Sequence, residues 1–408
     1  MDRAARVHRA GHVDPARGVV RVVLVALLAR LVLFAAIAPW KPDVLETRIL
    51  RLDARLYAEQ SEEVLRGHLL SPGSMKAPGY PVFLAAVRVL AGGRVFAALL
   101  VQCAAGAALA GLVVVLGRRF FGETAALLGG YLVALDPASV LIANCLLSDV
   151  PFALLLALGV WTMVRAFQAP GVRWALASGI LFALATLARP VGVFLPFLAV
   201  PFLAVIDRRG GRTPGAQAAR LAAFLAPWIA GLLLWIARGA NVDMFQDAAR
   251  LFDWYLITLR HNTLVKQLAG VAALLFESGS SLFAELLGIE STKVVILSDN
   301  VEGGWGGALR RAFLERSPVQ LAFLVASLAV LVVTYVGIVA AATEGALRRA
   351  QDRAGLAYVI VTALALLAVS SLWGTMRYRV PVMPFLALVS GAGWAALWAR
   401  LAERRRAL

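Results

Sequence analysis

Arg51–Pro81, RLDARLYAEQSEEVLRGHLLSPGSMKAPGYP, is the first long polar stretch of the chain, dense in acids, bases and helix punctuation. It stands out because its surroundings are so apolar: on both sides, long runs of Ala, Leu and Val alternate with short charged loops. Within it, Asp53 stands where a helix would begin, and Tyr57 lies one turn further on the same helical face. Arg55–Glu59 and Glu62–Arg66 are spaced i,i+4, as exposed ion pairs are, so Glu59, Glu62 and Glu63 read as a solvated face. Lys76-Ala77-Pro78-Gly79-Tyr80-Pro81 reads as a rigid turn, in which proline fixes the backbone and Gly79 permits a close approach. An acid and a lysine are thereby held near each other at the edge of an apolar bundle.

The rest of the chain decides what kind of bundle. Hydrophobic residues make up 61% of the 408 residues and mean hydropathy is +0.80, which excludes a soluble globule. The apolar runs are long enough to span a bilayer and predict an all-α integral membrane protein of about ten transmembrane helices. The spans fall at about 20–39, 95–116, 124–142, 150–167, 174–188, 191–206, 221–237, 319–342, 355–373 and 380–398. Residues 81–91 read as a short helix lying on the membrane, too short to cross it. With ten spans, Arg118-Arg119, Arg208-Arg209-Arg212, Arg348-Arg349 and Arg404-Arg405-Arg406 all fall on one side. The positive-inside rule makes that side cytoplasmic, with both termini, in a cell (inner) membrane. Two long extracytoplasmic loops follow, 40–94 and 238–317, in what reads as a single polytopic domain over 1–408. The second loop holds amphipathic pieces around Phe245–Arg260 and Leu264–Phe276, suited to an interface, and a Glu302-Gly-Gly-Trp-Gly-Gly run readable as a lid or a plain turn.

The net charge of +16 raises nucleic acid as a partner, but the basic residues are spread over alternating short loops, which membrane topology explains without one. Cys103 and Cys145 lie far apart inside apolar runs and suggest packing rather than a disulfide or thiolate site. His8 and His12 are four apart in a polar tail with no third ligand nearby; His68 and His261 fall on the outer side, so a histidine metal site is not indicated. Arg30, in the middle of the first span, needs an acid inside the bundle, and Asp136 is the candidate.

The segment Asp53-x-Arg55-x-Tyr57-Ala58-Glu59 followed by Lys76-x-Pro78-Gly79-Tyr80-Pro81 resembles the first extracytoplasmic loop of the C-type (GT-C) glycosyltransferases. It is similar to those that use polyprenyl-phosphate sugars, such as lipid A aminoarabinose transferases and protein O-mannosyltransferases. Leu147-Ser148-Asp149 resembles the family's second outer-loop acid, Ala188-Arg189-Pro190 its Ala-Arg-Pro turn, and Arg377-Tyr378-Arg379-Val380-Pro381 the opening of a late span. Ala54 stands where many relatives carry a second acid. The resemblance covers about 20–227 and 377–384. It implies a membrane enzyme moving a sugar from a polyprenyl-phosphate carrier to an extracytoplasmic lipid, glycan or protein acceptor. Asp53 would meet the acceptor and Lys76 the carrier's phosphate.

The chemistry asks for these residue types. The departing phosphate gains negative charge, so cations must be in place. Lys76, Arg189, Arg377 and Arg379, flanked by Tyr57 and Tyr378, are the candidates for holding the donor. Their alternative reading is as helix-end anchors whose charged heads reach for water. The acceptor must lose a proton as it attacks, and Asp53 is the expected general base. Asp149 would steer acceptor or base, bind a divalent metal together with Asp53, or merely cap the helix that follows it. No cofactor is demanded. The rival readings are a lipid-linked sugar transporter or flippase, which would want charges lining a path through the membrane, and an inactive GT-C-like scaffold.

Overall fold

The computed structural model describes residues 15–68, 77–239, 270–289, 316–370 and 375–407, except Ala273. Lys76, His8, His12, His261, Phe245–Arg260 and the Glu302 glycine run lie outside these residues. Among the described residues there are helices and no strands. The long helices in chain order are α1 (Pro15–Ile37), α2 (Asp53–Leu65), α3 (Gly79–Leu90), α4 (Ala97–Phe121), α5 (Glu123–Leu135), α6 (Pro137–Ala143), α7 (Asp149–Gln168), α8 (Arg173–Ala188), α9 (Leu195–Arg209) and α10 (Pro214–Gly239). They continue as α11 (Ser280–Leu287), α12 (Pro318–Thr343), α13 (Arg353–Ser370), the short turn α14 (Met376–Arg379) and α15 (Met383–Ala407).

By length and composition, eight of the described helices are able to cross a membrane, and up to ten if each bent pair is one span. The protein is a multi-pass membrane protein. Its lipid-facing surface is legible in single helices: Leu24, Leu28 and Val32 recur at i,i+4,i+8 on α1 and are more than half exposed, while Val22, Ala26 and Arg30 on the opposite face are buried. An outward apolar stripe of this length on a helix able to cross a membrane suits contact with hydrocarbon. α7 and α10 flank α8, α15 packs along α5 and α12, and α4 bridges α1, α5 and α7.

The third expected span is broken. α5 and α6 meet at a bend of 53°. Pro137 has no N–H to give the carbonyl of Val133, and it pushes the residue before it out of helical geometry. Asp136 accordingly adopts extended backbone and caps α6, its Oδ2 accepting from the Ser139 N–H (2.9 Å) and hydroxyl (2.5 Å). The expected Arg30–Asp136 ion pair does not form. Arg30 instead donates to the carbonyls of Ala134 (3.2 Å), Val133 (3.5 Å) and Ala26 (2.9 Å). The break supplies the reason: it frees acceptors at the end of α5 and turns the Asp136 carboxylate toward α6.

α4, α9 and α15 run in the same direction. α4 leaves the end at which α2, α3 and the 144–149 loop gather and finishes at Arg118-Arg119; α9 and α15 start at that same end and finish at Arg208-Arg209 and Arg404–Arg406. The arginine-rich end is tied by Arg118–Glu123, Arg119–Asp352 and Arg400–Glu344 pairs and by Arg220, which is buried against Asp207 (2.9 Å). α3 is a 12-residue helix with Tyr80, Pro81, Leu84 and Ala85 buried on one face, as expected of a segment that does not cross.

Candidate active site

Four separate parts of the chain meet at the end opposite the arginine-rich one. Asp53 opens α2, Asp149 opens α7, Arg189 follows α8, and Arg377 lies in α14. The Arg377 guanidinium joins the two acids: its Nη1 donates to Asp53 Oδ2 at 2.7 Å and its Nε to Asp149 Oδ2 at 2.7 Å. The other oxygen of Asp149 accepts from Arg189 Nη1. Asp149 is fully buried, Arg189 nearly so, and Asp53 and Arg377 remain partly open. Two carboxylates and two guanidiniums thus form one chain, Asp53–Arg377–Asp149–Arg189, that balances its own charge.

Aromatic rings frame it. Arg189 lies over the Tyr378 ring at 4.9 Å and over Phe152 at 5.9 Å, contacts that favour a cation held out of water. Burial first, then the neighbouring Arg377, push Arg189 down to about 10, so it remains charged at neutral pH. Tyr57 reaches Ser148 with hydroxyls 3.4 Å apart and packs edge-on against Tyr80 at 4.7 Å.

The expected residues divide clearly. Asp53, Asp149, Arg189, Arg377 and Tyr378 are in direct contact, and Tyr57 borders them through Ser148, the residue before Asp149. Arg379 points elsewhere: it is fully buried and its Nη1 donates to the carbonyls of Leu274 (3.2 Å), Leu275 (2.9 Å) and Glu277 (3.0 Å). It fastens the segment before α11 to α14. His68 bonds Glu63 (3.0 Å) at the far end of α2 from Asp53. Arg55 pairs with Glu46 (3.5 Å), and Arg66 with Glu63 (2.6 Å) as well as Glu62. Among the described residues no group of three His, Cys, Asp or Glu side chains is disposed to hold a metal. Arg377 already lies between the two carboxylates that a shared cation would need, so this pair does not fit a divalent metal.

Local structure explains how the acids are aimed. Leu52, the residue before Asp53, has φ of +48°, a conformation that costs a branched side chain energy and that clusters at working sites. It is almost wholly exposed, so packing does not demand the strain, which falls directly before the start of α2 at Asp53. Asp149 is likewise the first residue of its helix rather than the cap, which is Ser148. Gly79 does what its position suggested. A β-carbon there would come within 2.6 Å of the Leu187 carbonyl oxygen and 2.9 Å of the Ala188 nitrogen, directly before Arg189. The glycine lets α3 rest on the backbone that carries the arginine.

Several supports were not singled out from the sequence. Gln102, buried in α4, accepts from the Tyr80 hydroxyl (2.5 Å) and donates to the carbonyls of Cys145 (2.6 Å) and Ala143 (3.3 Å). It pins the loop leading into Asp149; a lone glutamine in an apolar run was the available signal. Glu277 accepts from the backbone N–H of Met376 (2.5 Å), fixing α14 next to Arg377. Beside the cluster opens a cleft of about 570 Å³ lined by Asp53, Ala54, Arg377 and residues of α11 and its approach.

Among solved structures, the fold matches the archaeal oligosaccharyltransferase AglB from Archaeoglobus fulgidus, in complex with an inhibitory peptide and a dolichol-phosphate (TM-score 0.55, 14% identity), over 96% of this chain and 51% of that one. It also matches ArnT from Cupriavidus metallidurans bound to undecaprenyl phosphate (TM-score 0.51, 19% identity), over 92% of this chain and 60% of that one. The helical fold is similar to that of these two membrane enzymes. At these identities the likeness is one of fold, and the chain spans about half to three-fifths of the length of the structures it matches. A family model described as dolichyl-phosphate-mannose-protein mannosyltransferase matches residues 75–238, less than half of the chain. That stretch contains Asp149 and Arg189; Asp53 and Arg377 lie outside it. A search of curated proteins gives no significant match.

Proposed function

We propose that the protein is a membrane glycosyltransferase that moves a sugar from a polyprenyl phosphate to an extracytoplasmic acceptor, with Asp53 as general base. The observation that carries this reading is the single Arg377 guanidinium held between Asp53 and Asp149, residues far apart in sequence, at the mouth of a cleft. The similarity in fold supports it, as do the dolichol-phosphate and undecaprenyl phosphate bound by AglB and ArnT. The arginine-rich opposite end supports placing both termini in the cytoplasm and the cluster on the outer side of a cell membrane.

In the reaction, the acceptor oxygen attacks the anomeric carbon from the face away from phosphate, and configuration inverts. The bond between carbon and phosphate oxygen breaks, and its electron pair stays on the phosphate. The acceptor's proton passes to the Asp53 carboxylate, whose direction Arg377 fixes. Arg377 and Arg189 place positive charge where the phosphate becomes more negative, in a site where burial strengthens the attraction. Lys76 precedes the turn that Gly79 seats against Arg189 and is assigned to the same phosphate. Asp149 holds both arginines in position. Replacing Asp53 by Asn removes the proton acceptor while preserving shape, and transfer is expected to fall by roughly 10²–10⁴-fold. A transporter would be nearly indifferent to this change, so unchanged product formation would reject the proposal.

A further inference from the structure

The cleft beside Asp53 contains more cations than the reaction above uses. Arg48, Arg51 and Arg316 line it together with Glu277 and Glu285. Most of these charges are committed. Arg51 pairs with Glu285 at 3.2 Å, and Glu277 receives the Met376 N–H. Arg377 is taken by Asp53 and Asp149. Two arginines are left without a carboxylate among the described residues. Arg316 donates to the Ser280 hydroxyl and its buried Nε has no partner. Arg48 is half-buried, makes no hydrogen bond or ion pair with the other described residues, and is seated against Gly288, where a β-carbon would come within 2.3 Å of its guanidinium carbon. Gly288 has φ of +73°, so both its missing side chain and its backbone favour keeping that space for the arginine.

We propose that Arg48 and Arg316 form an anion subsite that holds a phosphate or carboxylate group of the acceptor, beside the hydroxyl that Asp53 deprotonates. Two guanidinium forks on one cleft match the oxygens of such a group and give little to a neutral sugar or alcohol. The subsite shares no residue with the Asp53–Arg377–Asp149–Arg189 chain, whose arginines are assigned to the donor, and the acceptor role rests on the transferase reading.

The test uses the full chain in detergent, with binding of inorganic phosphate and of dihexanoyl phosphatidic acid measured against dihexanoyl phosphatidylcholine, and binding of undecaprenyl phosphate measured in parallel. The unaltered protein should bind the two anionic probes and prefer the phosphatidic acid to the choline lipid. Arg48→Gln and Arg316→Gln should each weaken anion binding about tenfold and leave undecaprenyl phosphate binding within twofold. Equal anion binding by the variants overturns the subsite. Parallel loss of undecaprenyl phosphate binding assigns the arginines to the donor and overturns the acceptor role. Failure of the unaltered protein to bind undecaprenyl phosphate, with anion binding intact, rejects the transferase reading and leaves the subsite standing without its acceptor role. Should the glutamine variants not fold, phenylglyoxal labelling of the native protein read by peptide mass spectrometry replaces them: phosphate should slow modification at Arg48 and Arg316, and absence of protection overturns the proposal.

Discussion

Asp53 and Asp149 bond the same arginine yet should fail differently when changed to asparagine. Asp149 is fully buried and each of its oxygens accepts from a different guanidinium. Asparagine keeps one acceptor oxygen and turns an N–H donor toward the second arginine, leaving the buried Arg189 without a counter-charge and Arg377 with Asp53 alone. Breaking a buried pair by removing one partner costs about 3–5 kcal/mol. Asp53 is about one-third exposed, with its side chain at 32% accessibility, and water screens its pairing with Arg377. The stability cost of Asp53→Asn is then about 1 kcal/mol or less. The assay is thermal unfolding of the detergent-solubilised full chain, followed by tryptophan fluorescence, beside sugar transfer in membranes expressing each variant. Asp149→Asn should lower the unfolding midpoint by several degrees and transfer with it. Asp53→Asn should leave the midpoint nearly unmoved and abolish most transfer. Equal destabilisation by the two, or an Asp149→Asn protein as stable as the parent, would refute the assignment of one acid to chemistry and the other to holding the arginines.

Three further changes test the supports. Gly79→Ala places a methyl group 2.6 Å from the Leu187 carbonyl oxygen, so α3 must move off α8; a cost of about 1–3 kcal/mol and reduced transfer are expected, measured by the same two assays. Gln102→Leu strands the Tyr80 hydroxyl and two carbonyls of the 143–145 loop, with an expected loss of about 1–3 kcal/mol; Tyr80→Phe in the same background should recover part of it. Because Arg377 lies between the two carboxylates, transfer should survive EDTA treatment of the purified membranes; inactivation that Mg²⁺ or Mn²⁺ restores would show that the arginine yields its place to a metal.

Much of the fold could be read from local pattern. The apolar runs mark where helices cross because every backbone group in a bilayer must be bonded within the chain; the expected span at 174–188 forms a helix, Arg173–Ala188, of only 16 residues, shorter than the eight that are long enough to cross. The bend in the third span was also written locally, in Asp136-Pro137, but reading 124–142 as one continuous helix passed over it, and with it the reason Arg30 bonds carbonyls instead of Asp136. Five residues of the candidate cluster, Asp53, Asp149, Arg189, Arg377 and Tyr378, were singled out through resemblance to a family, but the meeting of Asp53 with Arg377 was not legible. Those residues are 324 positions apart and nothing in the spacing of either fixes their distance. Arg379 shows the limit from the other side: its neighbour Arg377 has the same charge and a similar local sequence, yet the helical turn directs the one to the acids and the other to backbone carbonyls. Gln102 and Glu277 act through loops far from their own position in the chain, so only the folded arrangement reveals what they hold.

The central claim is that Asp53 takes the acceptor's proton as a polyprenyl phosphate gives up its sugar. The most direct measurement is mass spectrometry of polyprenyl-phosphate sugars and envelope glycoconjugates from cells lacking the gene and complemented with either the parent chain or Asp53→Asn. The account predicts that the asparagine variant, present in the membrane at parental levels, accumulates the sugar-loaded carrier and lacks the glycosylated product that the parent restores. Identical carrier and product profiles in the two strains would contradict it.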